Sequence, residues 1–219
     1  MLVRERMTLN PVTITPSTSF SDAIRLLRER EIHHLPVVDK DGQPIGIVTQ
    51  SDLLYAAPTT AMSGFELNYL LANLHVAKVM TSAPVTVLED VPLEEAARLM
   101  TEEKVGCLPV MRDGHLVGII TQTDMFRTFV EILDGAVTSE ASTAPLRVTV
   151  QVPDVRGELG RLAGVLAQQG GNICSVARFH GTNPAHVFLT FRLEGLTETT
   201  LRETLQAAGG EVIHLCRAA

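Results

Sequence analysis

The 219-residue sequence predicts a mixed α+β and α/β chain of three parts. Two copies of a strand–helix–strand–strand–helix unit come first, and a βαββαβ unit follows. Three observations predict this. Gly46-Ile47-Val48-Thr49-Gln50-Ser51-Asp52 returns as Gly118-Ile119-Ile120-Thr121-Gln122-Thr123-Asp124. Met7-Thr8, Pro11-Val12-Thr13 and Leu35-Pro36-Val37 return as Met80-Thr81, Pro84-Val85-Thr86 and Leu108-Pro109-Val110. From Leu146 onward the hydrophobic pattern changes and does not repeat the earlier units. A period this long exceeds that of a solenoid and reads as two packed copies with two similar sites.

In the first copy, Val12-Thr13-Ile14 is a short β-branched run. Ser19 or Ser21 can cap a helix through about Arg30, with Ala23, Ile24, Leu26 and Leu27 as its apolar stripe. Leu35–Val38 and Ile45–Val48 read as strands around the turn residues Asp39-Lys40-Asp41-Gly42. Ser51–Ala56 opens a second helix. The second copy repeats this order from Pro84 to about Leu133, with Met111-Arg112-Asp113-Gly114 as its turn. Between the copies, 65–71 reads as helical. Residues from Asp134 to Pro145 are small and polar, as linkers are.

The last third opens with Leu146-Arg147-Val148-Thr149-Val150-Gln151-Val152, which alternates as a half-buried strand does. Leu159, Leu162, Ala163, Val165 and Leu166 form a helix stripe. Two strands, Ile173–Phe179 and His186–Leu193, flank Gly181-Thr182-Asn183-Pro184. A helix over Thr197–Ala208 and a strand at Val212–Leu215 complete a ferredoxin-like order.

Composition narrows the function. The 45% hydrophobic fraction supports a sizeable core, and a net charge of −7 disfavours a nucleic-acid surface. No run of eighteen apolar residues is present, which predicts no membrane span. The N-terminus has no apolar segment of signal type. The three cysteines, Cys107, Cys174 and Cys216, have no metal-ligand spacing and predict a reduced, cytoplasmic protein. Neither paired carboxylates nor a nucleophile elbow or P-loop is present, so the reading is non-catalytic, with no metal.

The chemistry sits in Gly-h-h-Thr-x-x-Asp, where h is apolar. A strand glycine admits a close neighbour to the backbone. The threonine hydroxyl can bond a phosphate, and the aspartate can accept from both hydroxyls of a ribose. The nascent helix N-terminus favours an anion. Thr49-x-x-Asp52 and Thr121-x-x-Asp124 are equally variants of the capping box, and the two roles can coexist. His33 and His34 are adjacent on a strand and point to opposite faces, so they do not chelate one ion.

These residues carry a resemblance. The two copies look like CBS motifs forming a CBS pair over 1–135, with motif one at about 7–57 and motif two at about 77–133. The resemblance implies a cleft for AMP, ADP, ATP or S-adenosylmethionine. In it Asp52 and Asp124 would hold ribose and Thr49 and Thr121 would lie near phosphate. Val12, Thr13, Val85, Thr86, His34, Leu35, Pro36, Cys107, Leu108 and Pro109 would line the adenine pockets. Arg127 stands where the first copy has Tyr55, so the Asp124 site is expected to prefer a phosphorylated ligand. The Asp52 site is expected to take a less charged one or none.

Asp154-Val155-Arg156-Gly157-Glu158-Leu159, a helix, then Gly171-Asn172-Ile173 resembles an ACT domain over 146–219, after a linker at 136–145. Arg156 replaces the customary proline. Asp154, Gly157, Leu159, Asn172 and Ile173 would receive an amino acid; alternatively Asp154 caps the helix and the domain only dimerises. The combination, with Glu66-Leu67-Asn68-Tyr69-Leu70-Leu71, resembles the acetoin-utilisation AcuB-like proteins. That implies a bacterial, homodimeric regulatory protein acting on an unknown protein target. A structural dimerisation protein with no physiological ligand, or an enzyme with an unrecognised assembled site, are the alternatives.

Overall fold

The structure is a computed structural model that describes residues 1–56, 74–134 and 145–217. The 65–71 helix and nearly all of the expected linker lie outside these residues. The chain divides into two compact units, Met1–Phe126 and Arg127–Ala219.

In the first unit, β1 (Thr8–Leu9), α1 (Phe20–Glu29), β2 (His34–Val38), β3 (Pro44–Thr49) and α2 (Gln50–Ala56) belong to the first copy. The second copy has β4 (Thr81–Ser82), β5 (Val87–Leu88), α3 (Leu93–Glu102), β6 (Cys107–Arg112), β7 (His115–Thr121) and α4 (Gln122–Asp134), which runs on into the second unit. Ser19 caps α1, its Oγ accepting from the Asp22 N–H at 3.1 Å. Phe20, Ala23 and Leu27 from α1 pack with Leu35, Val37, Val48 and Leu53 in one core. Leu93, Ala96, Met100, Leu108, Val110 and Ile120 build the matching core of the second copy. The expected strand at 12–14 is only a single bridge, Ile14 to Val37, whereas its counterpart Val87–Leu88 pairs with β6 in parallel.

Each copy lends its leading segment to the other. β1 pairs with β7 of the second copy, Thr8 opposite Ile119 and Leu9 opposite Gly118. β4 pairs with β3 of the first copy, Gly46 opposite Ser82 and Ile47 opposite Thr81. The sheets are therefore β1-β7-β6-β5 and β2-β3-β4. Backbone bonds hold both exchanges: Val3 N–H to Val91 O at 3.0 Å and Arg4 N–H to Glu89 O at 2.8 Å, with Phe20 N–H to Leu74 O at 2.7 Å and Val76 N–H to Thr18 O at 2.9 Å in mirror fashion. Val3 is buried in the second core and Val76 in the first.

The exchange explains the strand glycines. A Cβ on Gly46 would stand 2.6 Å from Met80 Sδ and 3.1 Å from the Thr81 carbonyl oxygen. A Cβ on Gly118 would stand 2.5 Å from Met7 Sδ and 3.1 Å from the Thr8 carbonyl oxygen. The close neighbour is the exchanged segment of the other copy.

The second unit contains β8 (Leu146–Pro153), α5 (Glu158–Gln168), β9 (Asn172–His180), β10 (His186–Glu194), α6 (Glu198–Ala207) and β11 (Glu211–Arg217). All four strands are antiparallel, in the order β11-β8-β10-β9. Alternation sends Val148, Val150, Leu189 and Phe191 onto Leu162 and Leu166 of α5 and Leu201 and Leu205 of α6. Thr197 caps α6, accepting from the Thr200 N–H at 3.2 Å. Among the described residues no helix is long and apolar enough to cross a membrane.

Candidate functional site

β3 and β7 each end at a threonine and run directly into a helix. At the first junction the Thr49 N–H and Oγ1 both donate to Asp52 Oδ2 at 2.8 Å, and the Asp52 N–H donates to Thr49 Oγ1 at 3.2 Å. At the second, the Thr121 N–H (2.9 Å) and Oγ1 (2.7 Å) donate to Asp124 Oδ2, and the Asp124 N–H donates back at 3.3 Å. Both are complete capping boxes. At both junctions the cap bonds go to Oδ2 of the aspartate. Capping therefore fixes the aspartate rotamer and is compatible with a second role for the carboxylate. All four side chains are half-buried.

Cross-strand pairing sets the next residues. His34 lies opposite Thr49, and Cys107 lies opposite Thr121. His34 reaches towards the other copy: a Cβ on Gly106 would be 3.3 Å from His34 Nε2 and 4.0 Å from Gln122 Oε1. Burial lowers the His34 pKa below 6.5, assisted by His33, while Asp52 and Asp124 both pull it the other way. His34, Thr49, Asp52, Gly106 and Asp124 thus gather where the two copies face each other. His33 points away and hydrogen-bonds Gln50 at 2.9 Å.

Several expected lining residues are core instead. Leu35 and Leu108 are 0% exposed and belong to separate cores, and Pro36 and Pro109 are buried beside them. Successive residues on both strands are buried here, so alternation leaves no surface face at these positions. Cys107 is 4% exposed and packs with Ile47 and Ile119 between the two sheets. Burial, then Asp52, pushes its thiol up to about 12. Val12 and Val85 pack at the edges of the first and second cores, and Thr13 and Thr86 are exposed at matched positions. Arg127 is exposed, one turn after Asp124 on α4. Gln122 was missed by sequence reasoning, because only the facing of the copies brings it to His34.

In the second unit, Gly157 takes a left-handed φ of 85° ahead of α5. Asp154 does not cap that helix. Its Oδ1 accepts from Arg178 at 2.6 Å and its Oδ2 from His180 at 3.2 Å. The Arg178 guanidinium, then His180, hold its carboxyl below the ordinary 3.8. Asp154, Gly157 and Leu159 do line one pocket of about 330 Å³ with Arg178. Asn172 and Ile173 begin β9, at the far end of the strand from Arg178, and do not line it. Among the described residues no cluster of His, Cys, Asp and Glu could hold a metal.

Known proteins share this arrangement. The CBS domain family matches residues 3–58 and 76–131, and the TTHA0829-like ACT domain matches 145–216. CBSX2 of Arabidopsis thaliana is 33% identical over 139 residues, which are 54% of this chain and 58% of that protein. Its crystal structure in complex with AMP aligns at 34% identity and a TM-score of 0.52, covering 60% of this chain and 97% of that one. The AcuB structure from Vibrio cholerae aligns at 32% identity and a TM-score of 0.52, over 65% and 98%. The CBS pair of protein MJ0100, in complex with 5-methylthioadenosine and S-adenosyl-L-methionine, aligns at 28% identity and a TM-score of 0.50, over 59% and 95%. The chain belongs to the CBS-domain family, with a CBS pair followed by a TTHA0829-like ACT domain.

Proposed function

We propose that this protein is a non-catalytic regulatory sensor that binds an adenosine-type ligand at the two Thr-x-x-Asp caps of its CBS pair. The observation that supports this most is the use of Oδ2 for the cap at both Asp52 and Asp124. The rotamer is held before any ligand arrives, so the carboxylate is already oriented to accept from a ribose diol. The AMP complex of CBSX2 and the S-adenosylmethionine complex of the MJ0100 pair support the same ligand class. AMP, ADP, ATP and S-adenosylmethionine are all candidates. Arg127 adds a cation to the Asp124 side, where Tyr55 stands in the first copy, so the phosphorylated ligand belongs there. His34 and Gly106 make the two halves unequal in shape as well.

Differential affinity for two states of the protein would pass the signal to a target protein. A cytoplasmic homodimer in acetoin utilisation is the setting that the likeness to AcuB suggests. The ACT domain has two readings. A small amino acid could occupy the pocket beside Asp154, but Arg178 and His180 already engage both oxygens of that carboxylate. This favours a domain that dimerises without an amino acid.

Thermal denaturation with AMP, ATP and S-adenosylmethionine tests the proposal. A ligand at a hundred times its Kd adds about 2.7 kcal/mol, a shift of several degrees. No shift with any of them at millimolar concentration would favour a purely structural protein.

A further inference from the structure

The two copies match in their caps and differ in the residues opposite them. His34 stands directly opposite Thr49 in the register of β2 and β3, and Cys107 stands opposite Thr121 in that of β6 and β7. Side chains paired in this way share a face of the sheet. At equivalent positions, one cap therefore has an imidazole beside it and the other a thiol. Burial, then Asp52, pushes the Cys107 thiol up to about 12, so it stays uncharged near neutral pH. The imidazole is the member of this pair that can become a cation.

His34 also reaches the second cap. A Cβ on Gly106 would stand 3.3 Å from His34 Nε2, so the glycine leaves the room that the ring uses. The Gly106 carbonyl accepts from the Gln122 N–H at 3.0 Å, which ties this place to the start of α4, one residue after Thr121. Two charged side chains act on His34 from the elements around it, Asp52 of α2 and Asp124 of α4, and both are acidic. Its strand neighbour His33 turns away to Gln50. Arg127, one turn after Asp124, carries its charge at every pH and takes up no proton. Half-buried, with burial and then His33 opposing its charge, His34 is neutral at pH 7.5. A phosphate brought beside two carboxylates meets repulsion. It also favours the protonated form of a neighbouring imidazole, and that proton offsets the repulsion.

We propose that His34 is the proton-accepting, charge-discriminating residue of the nucleotide cleft: a phosphorylated adenosine ligand binds together with a proton on His34, and unphosphorylated adenosine binds without one. This role rests on the nucleotide reading of the caps. Acidification from pH 8 to 6.5 then favours AMP over adenosine, so the cleft reports proton and phosphate together.

Calorimetric titration of the full chain with AMP and with adenosine, each at pH 7.5 in two buffers of different ionisation enthalpy, reads the proton uptake. AMP binds with net uptake and adenosine with none. Between pH 8 and 6.5 the affinity for AMP relative to adenosine rises about three- to tenfold in the parent, and less than about twofold in His34→Gln. The variant loses the uptake with AMP and keeps adenosine affinity within about twofold, which shows that its cleft is folded. His34→Asn, smaller and also uncharged, gives the same result. AMP binding without proton uptake, or equal uptake with both ligands, overturns this role and leaves the nucleotide reading standing. So does uptake that persists undiminished in the variants, because it then belongs to the phosphate itself. Failure of both ligands to bind the parent overturns the two together.

Discussion

Asp52 and Asp124 each hold a helix N-terminus before they meet any ligand, so substitutions there must be read on two axes. Alanine removes the acceptor of the Thr N–H and hydroxyl. We expect Asp52→Ala and Asp124→Ala each to lower stability by about 1 kcal/mol in the absence of nucleotide, measured by urea unfolding. Asparagine keeps a cap acceptor, so Asp124→Asn loses less stability while a diol loses its charged acceptor. His34 gives a pH dependence. Its pKa in the folded protein is below 6.5, so the unfolded chain binds the proton more readily. Stability is full above the unfolded value and falls as pH drops through the folded one. His34→Gln should flatten the stability profile between about pH 5 and 7, read as Tm against pH.

At the scale of elements, the exchanged strands decide most. Gly118→Ala drives a methyl into Met7 Sδ and the Thr8 carbonyl. A loss of about 1–3 kcal/mol is expected. Met7→Ala in the same chain should recover part of it, because the sulfur is the nearer obstacle, and a double-mutant cycle on unfolding free energies checks this. The repeat made the helices, the central strands and both caps legible, because each has a local signal: Ser19 before an apolar stripe, Leu-Pro-Val in a β-branched run, Thr three residues before Asp. Met7-Thr8 and Met80-Thr81 were visible as a repeat, yet their role was not. A strand of two residues has no period to read, and its partner lies in the other copy. For the same reason Gly46 and Gly118 read as ligand-facing when they face Met80 and Met7. Leu35 and Leu108 read as lining residues because period alone does not distinguish a strand covered on both sides from one covered on one.

Over the whole molecule, the exchange makes the two copies one folding unit. Residues 1–9 supply β1, bury Val3 in the second core and bond to Glu89 and Val91. Deleting them removes an edge strand and a core residue from the second copy, although the cut lies far away in sequence. Hydrogen exchange should then show lost protection at Ile119 and Ile120 with little change in the ACT strands.

The unequal CBS pair is tested most directly by calorimetric titration of AMP into the parent chain, Asp52→Ala and Asp124→Ala. AMP should bind the parent, and Asp124→Ala should lose about tenfold or more in affinity while Asp52→Ala loses clearly less. Equal losses in the two variants would contradict the inequality of the sites, and no binding of AMP or S-adenosylmethionine to the parent would contradict the sensor itself.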